Sequence, residues 1–468
     1  MPAQHNNPIH QEAPMKPTLS AVKRLALGLA LALAATPASA RQVNLDVALG
    51  TPVITAGKKQ NAFLKVSLIG LEEEADRAPV NVSIVLDKSG SMGGDKIEYA
   101  KEAAIMAVNR LEPQDTISIV TYDSVVRVIL PAQRVANKAH LQNRIRNISA
   151  GGNTALFAGV TKGAQELRRY LEATRVNRVI LLSDGLANVG PSTPSELGDL
   201  GSSLGREGIS VTTIGLGTGY NEDLMTRLAG YSDGNHYFAR SASDLVTVFN
   251  NEFSNVLAVV AKDVRVIIHC ARGIRPIRVL GRDYEILGQE VSVDLNQLSS
   301  RQEKFVMLEV EVPEGLEGQS RDVASVDVNY LDLKTQRNDA LNGLAAVKYS
   351  GRQEEIRRAT NKKVMEKAVE QVSNEMSKDA LKALDQGRVQ DAQKLQEKNV
   401  QLLKDSATKY DSSYLGGLKS EAESDADAFR EVAPSMEPGS SAPASPMWNS
   451  KRKELKERQY KREMQQQY

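Results

Sequence analysis

Between Val80 and Ala261 the chain alternates short Val/Ile-rich runs with helical periodicity, and this restricts its folds more than any other feature. The runs Val80 to Asp87, Thr116 to Asp123, Arg178 to Asp184 and Ile209 to Gly217 are rich in β-branched residues and bounded by turn residues. Such short runs read as strands covered on both faces. After the first of them, Ile97, Ala100, Ala104, Val108 and Leu111 recur at three- and four-residue steps, which places them on one helix face. Further helices are expected at 136–148, 155–172, 193–207, 221–230 and 241–260. Val125 to Leu130 follows Asp123 too closely for a crossover helix and reads as an antiparallel edge strand. The alternation specifies an α/β fold, a doubly wound and mostly parallel sheet with helices on both faces.

The flanks have a different period. Val43-Asn-Leu-Asp-Val-Ala-Leu, Val291-Ser-Val-Asp-Leu and Phe305-Val-Met-Leu-Glu-Val-Glu-Val repeat every two residues, as half-buried antiparallel strands do. Few strands hold a core alone, so the segment before Val80 is expected to pair with the segment after Ala261. The α/β domain, residues 79–260, would then be inserted in an antiparallel β-sandwich built from 41–78 and 261–350. Beyond the strands, Met365, Ala368, Val372, Met376, Ala380 and Leu384 form one stripe, and Val389, Ala392, Leu395, Leu402 and Leu403 form another. They predict a helical hairpin over 353–410, with Gly387 as a left-handed cap. Residues 431–468, rich first in Pro, Ser and Ala and then in charge, read as a disordered tail.

At the N-terminus, Lys16, Lys23 and Arg24 precede an apolar run, Leu25 to Ala35, and a small-residue exit ending in Ala38-Ser39-Ala40. That order describes a secretory signal peptide over 1–40, with Met1 or Met15 as its start. The run is well short of the roughly 20 residues a spanning helix requires. The expected location is therefore exported, in the periplasm, at the cell surface or secreted, with no membrane span after cleavage. A net charge of +1 lacks the concentrated basic surface that nucleic-acid binding needs. The single cysteine, Cys270, has no internal partner and reads as a small buried hydrophobe.

The first strand ends in Asp87-Lys88-Ser89-Gly90-Ser91, a carboxylate and two hydroxyls at alternate positions that an extended turn points the same way. Thr154 lies in Gly151-Gly152-Asn153-Thr154, and Asp184 closes the strand Val179-Ile-Leu-Leu-Ser-Asp. Asp87 and Asp184 sit at the carboxyl ends of parallel strands, where doubly wound sheets place their ligands. Oxygen-only ligation suits a hard dication, Mg²⁺ first, with Mn²⁺ or Ca²⁺ as alternatives. Three of the five donors are neutral, so a bound ion keeps charge with which to attract an external carboxylate.

These three motifs, in this order, resemble the von Willebrand factor type A domain and its metal-ion-dependent adhesion site over residues 78–256. The flanking strands are similar to those of secreted bacterial members. The resemblance implies that Ser89, Ser91 and Thr154 contact the metal, with Asp87 and Asp184 acting partly through water. It also implies a binding or adhesion module that engages an exposed carboxylate on a protein or acidic polymer. An assembly or scaffolding factor with a secondary metal site is the alternative.

An EF-hand loop starting at Asp87 is excluded because Met92 stands where glycine is needed and a strand, not a helix, precedes it. No phosphate-binding Gly-x-x-x-x-Gly-Lys loop is present. His140, His236 and His269 lie in no nucleophile setting, so no enzyme is expected. Asn81-Val-Ser and Asn147-Ile-Ser match the glycosylation pattern by chance, since the first falls in a buried strand.

Overall fold

The computed structural model describes residues 41–71, 77–282, 284–432 and 445–467. The expected signal peptide lies outside them, as do residues 433–444 of the expected tail.

Three strands come first: β1 (Val43–Leu49), β2 (Val53–Thr55) and β3 (Gln60–Gly70). The α/β domain follows as β4 (Val80–Asp87), α1 (Asp95–Arg110), β5 (Thr116–Tyr122), β6 (Val126–Arg134), α2 (Lys138–Arg146), α3 (Leu156–Leu167), β7 (Val176–Ser183), α4 (Pro194–Arg206), β8 (Ile209–Leu216), α5 (Glu222–Tyr231), β9 (His236–Ala239) and α6 (Asp244–Leu257). Its sheet runs β6-β5-β4-β7-β8-β9. All neighbours are parallel except β5 and β6, so the short strand after Asp123 is the antiparallel edge that the sequence demands.

Every residue of β4, β5, β7 and β8 is buried, because helices cover both faces. On one side Ile84, Leu86, Ile119 and Ile180 meet Ala104 of α1, Leu141 of α2 and Phe249 of α6. On the other, Val85, Val120 and Leu181 meet Val160 of α3, Leu197 of α4 and Leu228 of α5. Asn81 is wholly buried and gives its amide to the Leu167 carbonyl, which leaves no room for a glycan.

The chain then returns through β10 (Val259–Cys270), β11 (Arg275–Leu280), β12 (Glu285–Leu287), β13 (Glu290–Ser299), β14 (Glu303–Val312), β15 (Ser320–Asp332) and β16 (Arg337–Ser350). Two sheets form, β1-β3-β14-β11 and β12-β13-β10-β15-β16-β2. β3 pairs antiparallel with β14 from Gln60 opposite Val312 to Ile69 opposite Glu303, and β2 runs parallel to β16. Segments on both sides of the α/β domain thus build the same two layers. Leu64, Val66, Val306 and Leu308 face Val264, Val266, Val326 and Val328 across the interior. Cys270 lies in that core, and burial pushes its thiol up to about 11.

The helical region is larger than a hairpin. It comprises α7 (Gln353–Ala359), α8 (Lys362–Asp385), α9 (Val389–Tyr410) and α10 (Ser413–Val432). Gly387, at φ +70°, closes α8 with bonds from its own amide to Leu384 and from Arg388 to Ala383, as the left-handed cap requires. The helix the sequence reading missed is α10, whose Leu415, Leu418 and Ala422 pack on Met365 and Leu403. On the other face of β14, Phe305 and Met307 meet Val364 and Ala368 of α8, so that strand is apolar on both sides.

The described part of the tail also corrects the expectation of disorder. α11 (Pro446–Glu463) and the two-residue β17 (Gln466–Gln467) are ordered against the rest of the chain. Trp448 and Leu455 enter a cluster with Leu384 and Phe429, while β17 pairs with the start of β14. The charges that suggested a solvated end are used in ion pairs instead: Arg452 with Glu222, Asp223 and Asp385, and Lys453 with Glu222.

Candidate metal centre

The five sequence-predicted residues come from three loops at one edge of the α/β sheet. Asp87 is the last residue of β4, and Asp184 is the first beyond β7. Parallel pairing of β4 with β7, in which Leu86 stands opposite Leu182, brings those two carboxylates to the same end of the sheet, Asp184 one residue further along than Asp87. Thr154 arrives on the loop before α3.

Backbone bonds lock the loops together. Gly90 donates to Gly152, Gly151 donates to Lys88, and Asn188 donates to Thr154. The Asn188 side chain returns the bond by accepting from the Thr154 amide at 2.9 Å. Gly152 holds φ +89°, and a Cβ there would stand 2.9 Å from Cβ of Asp123, so both conformation and space require glycine. Met92, fully buried, anchors the serine turn from below. The Lys88 ammonium pairs with Asp123. Burial pushes the Asp123 carboxyl up, but that ammonium and the Val125 amide outweigh it and hold it below its usual range.

The donor atoms converge. The Ser89 and Ser91 hydroxyls lie 3.1 Å apart, and Ser91 donates to Oδ1 of Asp184 at 2.6 Å. Asp87 accepts from the Ser89 amide and from the Ser183 hydroxyl, each at 2.9 Å. A Cβ placed on Gly185 would lie 3.3 Å from the Thr154 hydroxyl and 3.6 Å from that of Ser91, so both oxygens border the same point. Burial raises the Asp87 carboxyl above its ordinary value; the Ser89 and Ser183 bonds only partly offset this, and Asp184 adds repulsion. Such a carboxylate gains from a nearby cation.

Four participants were not singled out in the sequence. Lys96, in the first turn of α1, pairs with Oδ2 of Asp184 at 2.6 Å. Ser183, Asn188 and Asp123 orient the ligand loops. Their signal is weak, because each acts across separate strands.

The donor set fits a hard dication: two carboxylates and three hydroxyls, with no nitrogen or sulfur. Among the described residues no group of three or more His, Cys, Asp or Glu could hold a metal. Here hydroxyls supply what further acids would. Chemically, the arrangement offers oxygen ligation, with the Lys96 ammonium beside it. His236 is buried behind α5 against Thr213, and His269 lies on the sandwich between Glu290 and Asp327.

Comparison with known proteins identifies the domain that carries these loops. The model of the von Willebrand factor type A domain matches residues 81–251. The uncharacterized protein YfbK of Escherichia coli is 30% identical over 210 residues, which cover 44% of this chain and 36% of YfbK. The uncharacterized protein sll0103 of Synechocystis is 26% identical over 314 residues, or 64% of this chain and 74% of that protein. The chain thus spans about a third of YfbK's length and about three quarters of sll0103's. A solved von Willebrand factor type A structure from Catenulispora acidiphila superposes with a TM-score of 0.65 at 17% identity, covering 84% of this chain and 89% of that one. At that identity the likeness shows the fold, including the mostly parallel sheet. Such domains are commonly metal-dependent protein-interaction modules. The chain contains a von Willebrand factor type A domain at residues 81–251.

Proposed function

We propose that this chain is an exported binding protein in which Asp87, Ser89, Ser91, Thr154 and Asp184 hold one divalent cation, Mg²⁺ in the first instance. The cation would grip a carboxylate on a protein or acidic polymer of the cell envelope. The observation that carries the reading is the convergence of five oxygen donors from three loops, with Ser91 exposed at the sheet edge. When bound, the ion supplies a positive centre for an anionic ligand. The protein's own part is to fix the donors and present them.

The surround suits a macromolecular partner. Leu186 is 59% exposed and Val125 50%, on the loops that follow Asp184 and Asp123. Apolar side chains beside a charged anchor favour a carboxylate embedded in a larger surface. The apolar run and small-residue exit before Arg41 support export, and among the described residues no helix is long and apolar enough to cross a membrane. The mostly non-enzymatic character of relatives with this domain supports a binding role without catalysis.

The test is a pulldown from envelope extract with Mg²⁺ or with chelator, read by mass spectrometry, alongside Asp87→Ala. The reading expects partners recovered only with the metal and lost in the variant. Equal recovery in all conditions favours the scaffolding alternative, and substrate turnover lost on Asp87→Ala would make the protein an enzyme.

A further inference from the structure

Lys96 reaches Asp184 from the first turn of α1. Its Nζ lies 2.6 Å from Oδ2, while Oδ1 of the same carboxylate takes the Ser91 hydroxyl. The Asp184 side chain has no exposure, whereas that of Lys96 is 38% exposed. The ammonium therefore caps the carboxylate from the solvent side. Among the described residues no lysine or arginine pairs with Asp87, whose oxygens accept from the Ser89 amide and from neighbouring hydroxyls, Ser183 among them. The other nearby lysine, Lys88, is committed to Asp123.

We infer that Lys96 is a built-in counter-ion of Asp184 that competes with the metal and leaves the loaded site with a surplus positive charge. This rests on the metal-dependent reading above. Two carboxylates and one dication sum to zero formal charge, so the pull on an external anion rests on the ion's own open face. With the ammonium included, the loaded site carries one net positive charge. The lysine thereby weakens cation uptake, since like charges repel within a few ångströms, and strengthens the pull on a partner's carboxylate. In the metal-free protein the same ammonium stabilises Asp184, so the loops stay assembled before the ion arrives. Metal loading then exchanges a lysine contact for a metal contact at one carboxylate.

The experiment is calorimetric titration of the full chain with Mn²⁺, on the wild type, Lys96→Gln and Lys96→Arg. Thermal unfolding in chelator accompanies it and checks that each variant folds. Removing the charge should tighten Mn²⁺ binding by about tenfold, a Coulombic effect reduced by the partial exposure of the lysine. Lys96→Gln should also lower the melting temperature of the metal-free protein, and Lys96→Arg should restore both quantities towards wild type. Equal Mn²⁺ affinity in wild type and Lys96→Gln overturns the assignment of Lys96 while leaving the metal site intact. Absence of Mn²⁺ uptake by the folded wild type overturns the metal reading, and this inference with it.

Discussion

Tyr460, near the end of the last helix, donates its hydroxyl to the carbonyl of Gly234 at 2.6 Å, 226 residues earlier in the chain. The bond ties α11 to the turn before β9, in the α/β domain. Around it, Gln466 donates to Asn235 and Phe238 donates its amide to Glu457. The C-terminal segment is thus an integral wall of the fold. Tyr460→Phe keeps the ring and leaves a buried carbonyl short of its partner, so unfolding by denaturant should show a loss of about 1–2 kcal/mol.

Arg452 joins three carboxylates, Glu222 and Asp223 of α5 and Asp385 of α8. Arg452→Ala leaves those acids facing one another with only Lys453 and Lys456 in compensation. The expected destabilisation is about 2–4 kcal/mol, since breaking a buried pair costs more than the pair contributes. Limited proteolysis should then cut first in the C-terminal segment, with the α/β domain intact.

His236 is fully enclosed, between Tyr220 and Tyr460, and burial first, then Lys461 and Lys453, hold its pKa down to about 3. A depressed histidine is neutral in the fold but protonated in the unfolded chain below about 6.5, so its contribution is full above that value and falls as pH drops towards 3. Between pH 6.5 and 5, the loss of stability from this group should steepen from about 0.7 to about 1.4 kcal/mol per pH unit. In His236→Gln that part of the slope should vanish when unfolding is measured across the same range.

Gly152 offers a sharper test of the loop than any ligand. Gly152→Ala introduces a Cβ 2.9 Å from Asp123 in a backbone that L side chains rarely adopt. It should cost about 1–3 kcal/mol of stability. It should also abolish Mn²⁺ uptake in calorimetry, although no oxygen donor has been removed.

Much of this was legible because the determinants are local. The β-branched runs of β4, β5, β7 and β8 name themselves, and the Asp87-Lys-Ser-Gly-Ser turn places three donors within one span. Sandwich strands such as β10 alternate as their half-buried state dictates. The missed features are those set by distant partners. α11 has no continuous apolar stripe; it buries Trp448, Leu455 and Tyr460 at wide spacing and is otherwise held by charges on α5, α8 and α10. Lys96 looks like any lysine of a helix start until the registry of β4 with β7 places Asp184 beside it.

The most direct measurement is anomalous diffraction from crystals soaked in Mn²⁺. A single strong peak should appear among the oxygens of Asp87, Ser89, Ser91, Thr154 and Asp184, with one coordination position facing solvent. Folded protein with no peak there, or with those side chains turned away from one another, would contradict a metal-dependent grip on a carboxylate.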